Sequence, residues 1–270
     1  MIVRNESFET PDGTSIGFTL RPAPGAPRLA LVHSLALDRG VWDGVAAALE
    51  GSVELLTHDC RGHGQSDRRP GPYTAALLAA DLAALFDHLE WPGAAVAGCS
   101  MGGNVAQAFG AGYPDRTTAL GLIDTTAWYG ADSAAKFRER AAAARTEGMK
   151  GLIGFQLTRW LSDAYRTSHP EVLRRLSDVF VANSLDCYAS SCELLGAVDT
   201  RGVLGSLRMP VAVVVGEDDY ATPIAMAQAL HAAIPQSTLT IIEGTRHLTP
   251  VERADRVASE LRGLLARVPA

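Results

Sequence analysis

No run of apolar residues in this chain approaches the roughly 20 that a membrane-crossing helix needs. The opening stretch, Met1 to Glu6, lacks the apolar segment of a secretion signal. Cysteine is scarce. Cys60, Cys99, Cys187 and Cys192 are the whole set, and none stand in CxxC spacing. With no secretion signal they read as reduced thiols, and a cytoplasmic location is expected. Aromatic residues are 6% of the chain, and its arginines are not clustered. With a net charge of −6, nucleic acid and an anionic membrane are not expected partners. There is no glycine-rich phosphate fingerprint and no His/Cys metal spacing, so no cofactor and no metal are expected. Internal repeats and low-complexity segments are missing too. What the chain does have is aliphatic bulk. Hydrophobic residues are 47% of 270 positions, enough for one large α/β domain or a core with an insertion.

Residues 7–10 and 14–20 flank Pro11-Asp12-Gly13, a turn signal, and read as a hairpin. Continuous apolar runs at 29–32, 53–56, 94–97, 118–123 and 211–215 predict buried strands, with a further strand at 238–242. Helical spacing marks 41–49, 73–89, 103–110, 223–233 and 251–265. Strands alternating with helices imply a mostly parallel sheet covered on both faces. Residues 124–207 interrupt this alternation. They hold no convincing strand and read as helices, for example 133–145 and 171–183. The expected architecture is therefore an α/β core from residues 1–123 and 208–270. Residues 124–207 form an inserted helical cap over the carboxyl ends of the strands, where open α/β sheets bind ligands.

The chemistry centres on Gly98-Cys99-Ser100-Met101-Gly102, between the run 94–97 and the helix 103–110. Strand, sharp turn and helix are the context of a nucleophile elbow. Ser100 stands at the apex with its hydroxyl exposed. Gly98 and Gly102 carry no Cβ, so strand and helix can approach there.

A serine hydroxyl is a weak nucleophile until a base takes its proton. Of seven histidines, His247 follows the last strand in Gly244-Thr245-Arg246-His247-Leu248-Thr249-Pro250, over the strand ends. His58, His63, His88, His169 and His231 have plain loop or helix readings, and His33 closes a strand and orders its loop. The base needs an acid to hold its tautomer. Gly216-Glu217-Asp218-Asp219-Tyr220-Ala221-Thr222-Pro223 offers three carboxylates. Asp219, where the loop turns into the next helix, is preferred over Asp218, with Glu217 third. Asp124, at the end of strand 118–123, is a fourth candidate. The order Ser100, Asp219, His247 is the triad order of α/β-hydrolases. The Met101 N–H would face the oxyanion, with the Leu35 N–H of His33-Ser34-Leu35 as second donor.

Over nearly its whole length the chain resembles the α/β-hydrolase superfamily. Asp59-Cys60-Arg61-Gly62-His63-Gly64-Gln65-Ser66 is similar to that superfamily's D-x-R-G-x-G-x-S loop. Within it, the chain most resembles the 3-oxoadipate enol-lactonases. The similar pieces are His33-Ser34-Leu35, Val41-Trp42-Asp43, Thr158-Arg159-Trp160-Leu161 and Tyr188-Ala189-Ser190-Ser191-Cys192. Those relatives often carry Asn-Ser-Leu-Gly at the first piece, where this chain has His33 and Ala36. The resemblance implies a serine hydrolase that cleaves a small cyclic enol ester or carboxylic ester. Such a lactone carries a carboxylate, which needs a cation once it leaves water. Arg159 is the candidate, with Trp160 and Trp128 as candidate pocket walls. Two other readings stand beside it: a C–C bond hydrolase of ring-cleavage products, and a non-catalytic ligand receptor on the same scaffold. A homo-oligomer is left open.

Overall fold

The computed structural model describes residues 2–269. Strands β1 (Arg4–Glu9) and β2 (Ser15–Arg21) form the antiparallel hairpin around Asp12-Gly13. The strands that follow are β3 (Arg28–Val32), β4 (Glu54–His58), β5 (Ala94–Cys99), β6 (Thr117–Ile123), β7 (Val211–Gly216) and β8 (Ser237–Ile242). They make one eight-stranded sheet in the order β1-β2-β4-β3-β5-β6-β7-β8. β2 also pairs antiparallel with β4, and from β4 onward every pairing is parallel. β5 and β7 are buried at every residue, which explains their unbroken apolar runs. The edge strands β1 and β8 are largely exposed or half-buried.

Helices cover both faces. They are α1 (Asp43–Ala48), α2 (Ala75–His88), α3 (Met101–Gly112), α9 (Ile224–Ala233), α10 (Thr249–Glu252) and α11 (Ala254–Leu265) around the sheet. Between β6 and β7 come α4 (Ser133–Trp160), α5 (Asp163–Ser168), α6 (Pro170–Val181), α7 (Leu185–Ala197) and α8 (Arg201–Leu204). The alternation of side chains along β6 assigns the faces. A Cβ on Gly110 of α3 would meet Leu120, whereas one on the next strand residue, Gly121, would meet Leu261 of α11.

Three boundaries differ from the sequence expectation. The helix expected over 133–145 runs to Trp160, broken at Gly148 (φ 71, ψ 165). The terminal helix divides at Arg253 (φ −140, ψ 54) into α10 and α11. The first helix opens as a 3₁₀ turn, Arg39–Trp42, capped by the Asp38 side chain. The inserted segment also holds one backbone bridge, Trp128 to Asp199, which ties its beginning to its end.

The sheet order decides where a site can form. β3 lies between β4 and β5, so the chain leaves β3 toward one side and β5 toward the other. Such a reversal opens a crevice at the carboxyl ends of the strands. His33-Ser34-Leu35 follows β3, and Ser100 follows β5.

Candidate active site

Ser100 sits between β5 and α3 at φ 57 and ψ −114, a conformation uncommon for a residue with a side chain. The neighbouring glycines make it attainable. A Cβ on Gly98 would lie 2.0 Å from the Gly102 carbonyl oxygen, and one on Gly102 would lie 2.2 Å from that of Val32. The turn therefore packs backbone against backbone, with β3 as its outer wall.

His247 Nε2 stands 2.9 Å from Ser100 Oγ, and its Nδ1 stands 2.8 Å from Asp219 Oδ2. With Nδ1–H donating to the carboxylate, Nε2 is left to accept the serine proton. Asp219 is itself held in place. Its Oδ1 accepts from the Ala221 and Thr222 N–H at 2.7 and 2.9 Å, and its Oδ2 from Thr222 Oγ1 at 2.8 Å. Burial pushes the Asp219 carboxyl up. The charge of His247, and hydrogen bonds from His247 and Thr222, outweigh that and hold it below the ordinary carboxylate value.

The other three acid candidates lie elsewhere. Asp218 and Glu217 are exposed, and Glu217 accepts from the Gly244 N–H at 3.0 Å. Asp124 is fully buried behind Ser100, Asp219 and His247. Its Oδ1 accepts from the Gly216 N–H at 3.1 Å, and its Oδ2 from Thr249 N–H and Oγ1–H at 2.9 and 2.7 Å. It thus braces the roots of the acid loop and the histidine loop. Burial, and then the charge of Asp219, push its carboxyl well up. Cys99 is buried and faces away from the crevice, its Sγ 3.9 Å from both Asp124 Oδ2 and the His247 carbonyl. Burial pushes its thiol well above the ordinary value, so it is a poor nucleophile.

Leu35 lines the cavity above Ser100, and Met101 is the first residue of α3. Among the described residues neither backbone N–H has an acceptor. His33, where relatives carry asparagine, is buried and orders this loop. Its Nδ1 donates to the Ser34 carbonyl at 2.7 Å, and its Nε2 accepts from the Cys60 N–H at 2.9 Å. Ala36, in place of glycine, takes φ 59.

The loop Asp59–Ser66 is a brace. The Asp59 carboxylate accepts from the Arg39 and Gln65 N–H at 2.8 and 2.9 Å, and Arg61 grips Asp81 through two bonds of 2.7 and 2.5 Å.

The cavity over Ser100 is small, and Arg159 and Trp160 both line it. Trp160 is buried and also packs edge-on against Phe180. Trp128 does not line it. The bridge to Asp199 fixes its backbone, and its indole lies under the Arg201 guanidinium at 3.8 Å in a separate groove along α9. Several cavity residues were missed in the sequence, Arg140 and Gln156 among them with Tyr129, Phe137 and Leu195. Arg140 donates through Nε to Tyr188 Oη at 2.7 Å. Gln156, Arg159 and Trp160 share one helical face at spacings of three and four, a signal that was readable. Arg140 offered none, because it lies on the other side of the Gly148 break. Among the described residues no cluster of three or more His, Cys, Asp or Glu could hold a metal ion.

This elbow, this sheet order and this acid–base pair define a class. The chain belongs to the α/β-hydrolase fold family, whose sequence profile matches residues 27–254. Within that family it is similar to 3-oxoadipate enol-lactonase 2 of Acinetobacter baylyi, at 31% identity over 89% of both chains. Its structure is similar to the enol-lactonase of Burkholderia xenovorans LB400, with a TM-score of 0.90, 33% identity, and coverage of 94% of this chain and 98% of that one. It is also similar to a thermophilic esterase of Thermogutta terrifontis solved with malate bound, with a TM-score of 0.91, 28% identity, and coverage of 99% and 100%.

Proposed function

We propose that this chain is a serine hydrolase that opens a small lactone bearing a carboxylate, most like 3-oxoadipate enol-lactone. The observation that carries the reading is the line Ser100–His247–Asp219 at the floor of a small cavity with the Arg159 guanidinium in its wall. Residues 124–207 act as the cap that supplies that wall. The enol-lactonase relatives and the malate held by the Thermogutta esterase support an acidic ligand.

Ser100 Oγ attacks the lactone carbonyl as His247 Nε2 takes its proton. The Leu35 and Met101 N–H groups receive the oxyanion. Collapse breaks the ring C–O bond, and His247 returns the proton to the leaving enol oxygen. The enol becomes the ketone, and the acyl group stays on Ser100. His247 then deprotonates a water, which attacks the acyl carbon. Ser100 leaves with the proton, and a new carboxylate is released. Asp219 holds Nδ1–H throughout and stabilises the transient imidazolium.

The test is turnover of 3-oxoadipate enol-lactone, followed by loss of ultraviolet absorbance, beside hydrolysis of p-nitrophenyl acetate. Ser100→Ala should remove both activities while circular dichroism stays that of the wild type. A charge-assisted hydrogen bond is worth about 1.5–3 kcal/mol, so Arg159→Met should lower kcat/KM for the acidic lactone roughly ten- to a hundredfold. The neutral ester should lose much less. Equal losses on both substrates would assign Arg159 to cap packing, and near-wild-type turnover by Ser100→Ala would end the serine mechanism.

A further inference from the structure

Tyr129 lines the cavity with Ser100 and His247, and the acid–base line leaves it unused. Local geometry brings its hydroxyl to the reacting atoms. Trp128 and Tyr129 are consecutive where the backbone bridges to Asp199, so their side chains point opposite ways. Trp128 turns out to the groove along α9. Tyr129 turns in, and its hydroxyl stands beside the Ser100 side chain. The sheet order then fixes the side. β5 lies between β3 and β6, so Leu35 after β3 and Tyr129 after β6 flank Ser100 from opposite directions. The Leu35 N–H meets the oxyanion from the β3 side. Tyr129 shares the other side with His247, whose loop follows β8.

The segment leading to Tyr129 is pinned. The Thr126 carbonyl accepts from Asn104 Nδ2 and Gln107 Nε2 at 2.6 and 3.1 Å, and the Ala127 carbonyl accepts from the Thr200 N–H at 3.0 Å. The Tyr129 ring packs edge-on against Phe137 at 5.3 Å. The hydroxyl is more loosely committed. It donates to Oδ1 of the fully buried Asn104 at 3.3 Å. That is long for an O–H donor, whose usual distance to oxygen is about 2.7–2.8 Å. Turning it toward a ligand therefore costs little. Burial pushes the phenol well up from its ordinary value, so it keeps its proton and can only donate.

We propose that Tyr129 is a further catalytic residue, whose hydroxyl donates a hydrogen bond to the leaving oxygen during acylation of Ser100. The proposal rests on the hydrolase reading. As the carbon–oxygen bond of the tetrahedral intermediate breaks, its electron pair goes to the leaving oxygen. His247 delivers to that oxygen the proton it took from Ser100. Tyr129 stabilises the developing charge and retains its own proton. The more basic the leaving oxygen, the stronger the bond it accepts. The contribution of Tyr129 therefore rises from a nitrophenolate to a phenolate or enolate, and again to an alkoxide.

The experiment compares wild type with Tyr129→Phe, which keeps the ring against Phe137 and removes only the hydroxyl. The substrates are p-nitrophenyl, phenyl and ethyl acetate. All three form the same acetyl-enzyme, so differences in kcat/KM among them arise in acylation. The loss on Tyr129→Phe should grow with the basicity of the leaving oxygen. It should be a few-fold for p-nitrophenyl acetate, roughly tenfold for phenyl acetate and larger still for ethyl acetate. Since kcat for p-nitrophenyl acetate includes hydrolysis of the acetyl-enzyme, it should fall less than kcat/KM for ethyl acetate. A folding defect would lower all three rates alike, so the ratios within the one variant read the effect even if it melts early. Equal losses across the series would make Tyr129 a packing residue and overturn the proposal. So would no loss on any substrate. The hydrolase reading fails in a different way: wild-type protein that turns over none of the acetates and no enol-lactone loses that reading, and the role of Tyr129 with it. Turnover with equal losses leaves the hydrolase reading standing and removes Tyr129 alone.

Discussion

Asp219 and Asp218 are adjacent and chemically identical, and their surroundings give them different work. Asp219 is 3% exposed, with two backbone N–H groups, a threonine hydroxyl and the His247 imidazole on its carboxylate. Asp218 points to solvent. Asp219→Asn would let the imidazole adopt the wrong tautomer, and kcat should fall by roughly 10⁴ if the triad template transfers. Asp218→Asn should change kcat little. Steady-state kinetics on p-nitrophenyl acetate would check both, and a larger loss from Asp218→Asn would refute the assignment. The choice between neighbours was only half legible in the sequence. The turn into Thr222-Pro223 favoured Asp219, but only the folded loop shows that the Ala221 and Thr222 N–H groups converge on its side chain.

Among the elements, the end of α4 and the His247 loop are fastened together. The Arg246 guanidinium donates to the Thr158 and Leu161 carbonyls at 2.7 and 3.2 Å, and the Leu248 N–H donates to the Trp160 carbonyl at 3.0 Å. These two residues flank His247. Glu252 closes the latch. Its Oε1 accepts from the Arg246 N–H at 2.8 Å, and its Oε2 from the Ser162 N–H and Oγ–H at 3.0 and 2.5 Å. Removing a buried acceptor leaves donors unpaired, at about 1–3 kcal/mol. Glu252→Ala should therefore lower Tm by roughly 2–10 °C for a chain of this size. It should also lower kcat/KM, since the same loop carries His247, the proposed base. A thermal melt unchanged by the substitution would mean that the latch contributes nothing. The bonds that join the end of α4 and Ser162 to this loop were not readable beforehand, because each links residues some 85 to 90 positions apart. The long reach of α4 was also hidden. Gly148, Gly151 and Gly154 weaken helical propensity beyond Arg145, and packing over the cavity overrides them.

Across the whole molecule, burial of neutral imidazoles sets the response to acid. His58 and His63 are buried in the core loops, with His63 edge-on to His33 at 5.0 Å. Burial, and then the charge of His33, push both down to about 3 from an ordinary 6.5. The unfolded chain takes up these protons below pH 6.5, whereas the folded chain does not until about pH 3. Stability should thus fall as the pH drops through that window. Each histidine costs about 1.4 kcal/mol at pH 5.5. Asp59, Asp81 and Asp124, pushed up by burial, take up protons when folded and offset part of the loss at lower pH. Urea unfolding at pH 7.5 and 5.5 would check the sign. A midpoint that holds or rises at pH 5.5 would mean that the imidazoles titrate in the folded state.

What the sequence determined alone was whatever short-range chemistry demands. The turn at Pro11-Asp12-Gly13, the buried apolar strands and the glycines around Ser100 are local requirements, so their residues announce them. The order of Ser100, Asp219 and His247 along the alternating strands and helices was legible for the same reason. Tertiary structure decided what depends on where distant segments meet. It turned Trp128 out of the cavity, because the bridge to Asp199 holds its backbone. It assigned Asp124 to bracing two loops, because Gly216 and Thr249 converge on a carboxylate 92 and 125 residues away. It also brought Arg140 beside Arg159 across the break at Gly148. Helical periodicity stops at such a break, and only the packed fold sets the angle at which the two halves of α4 face one space.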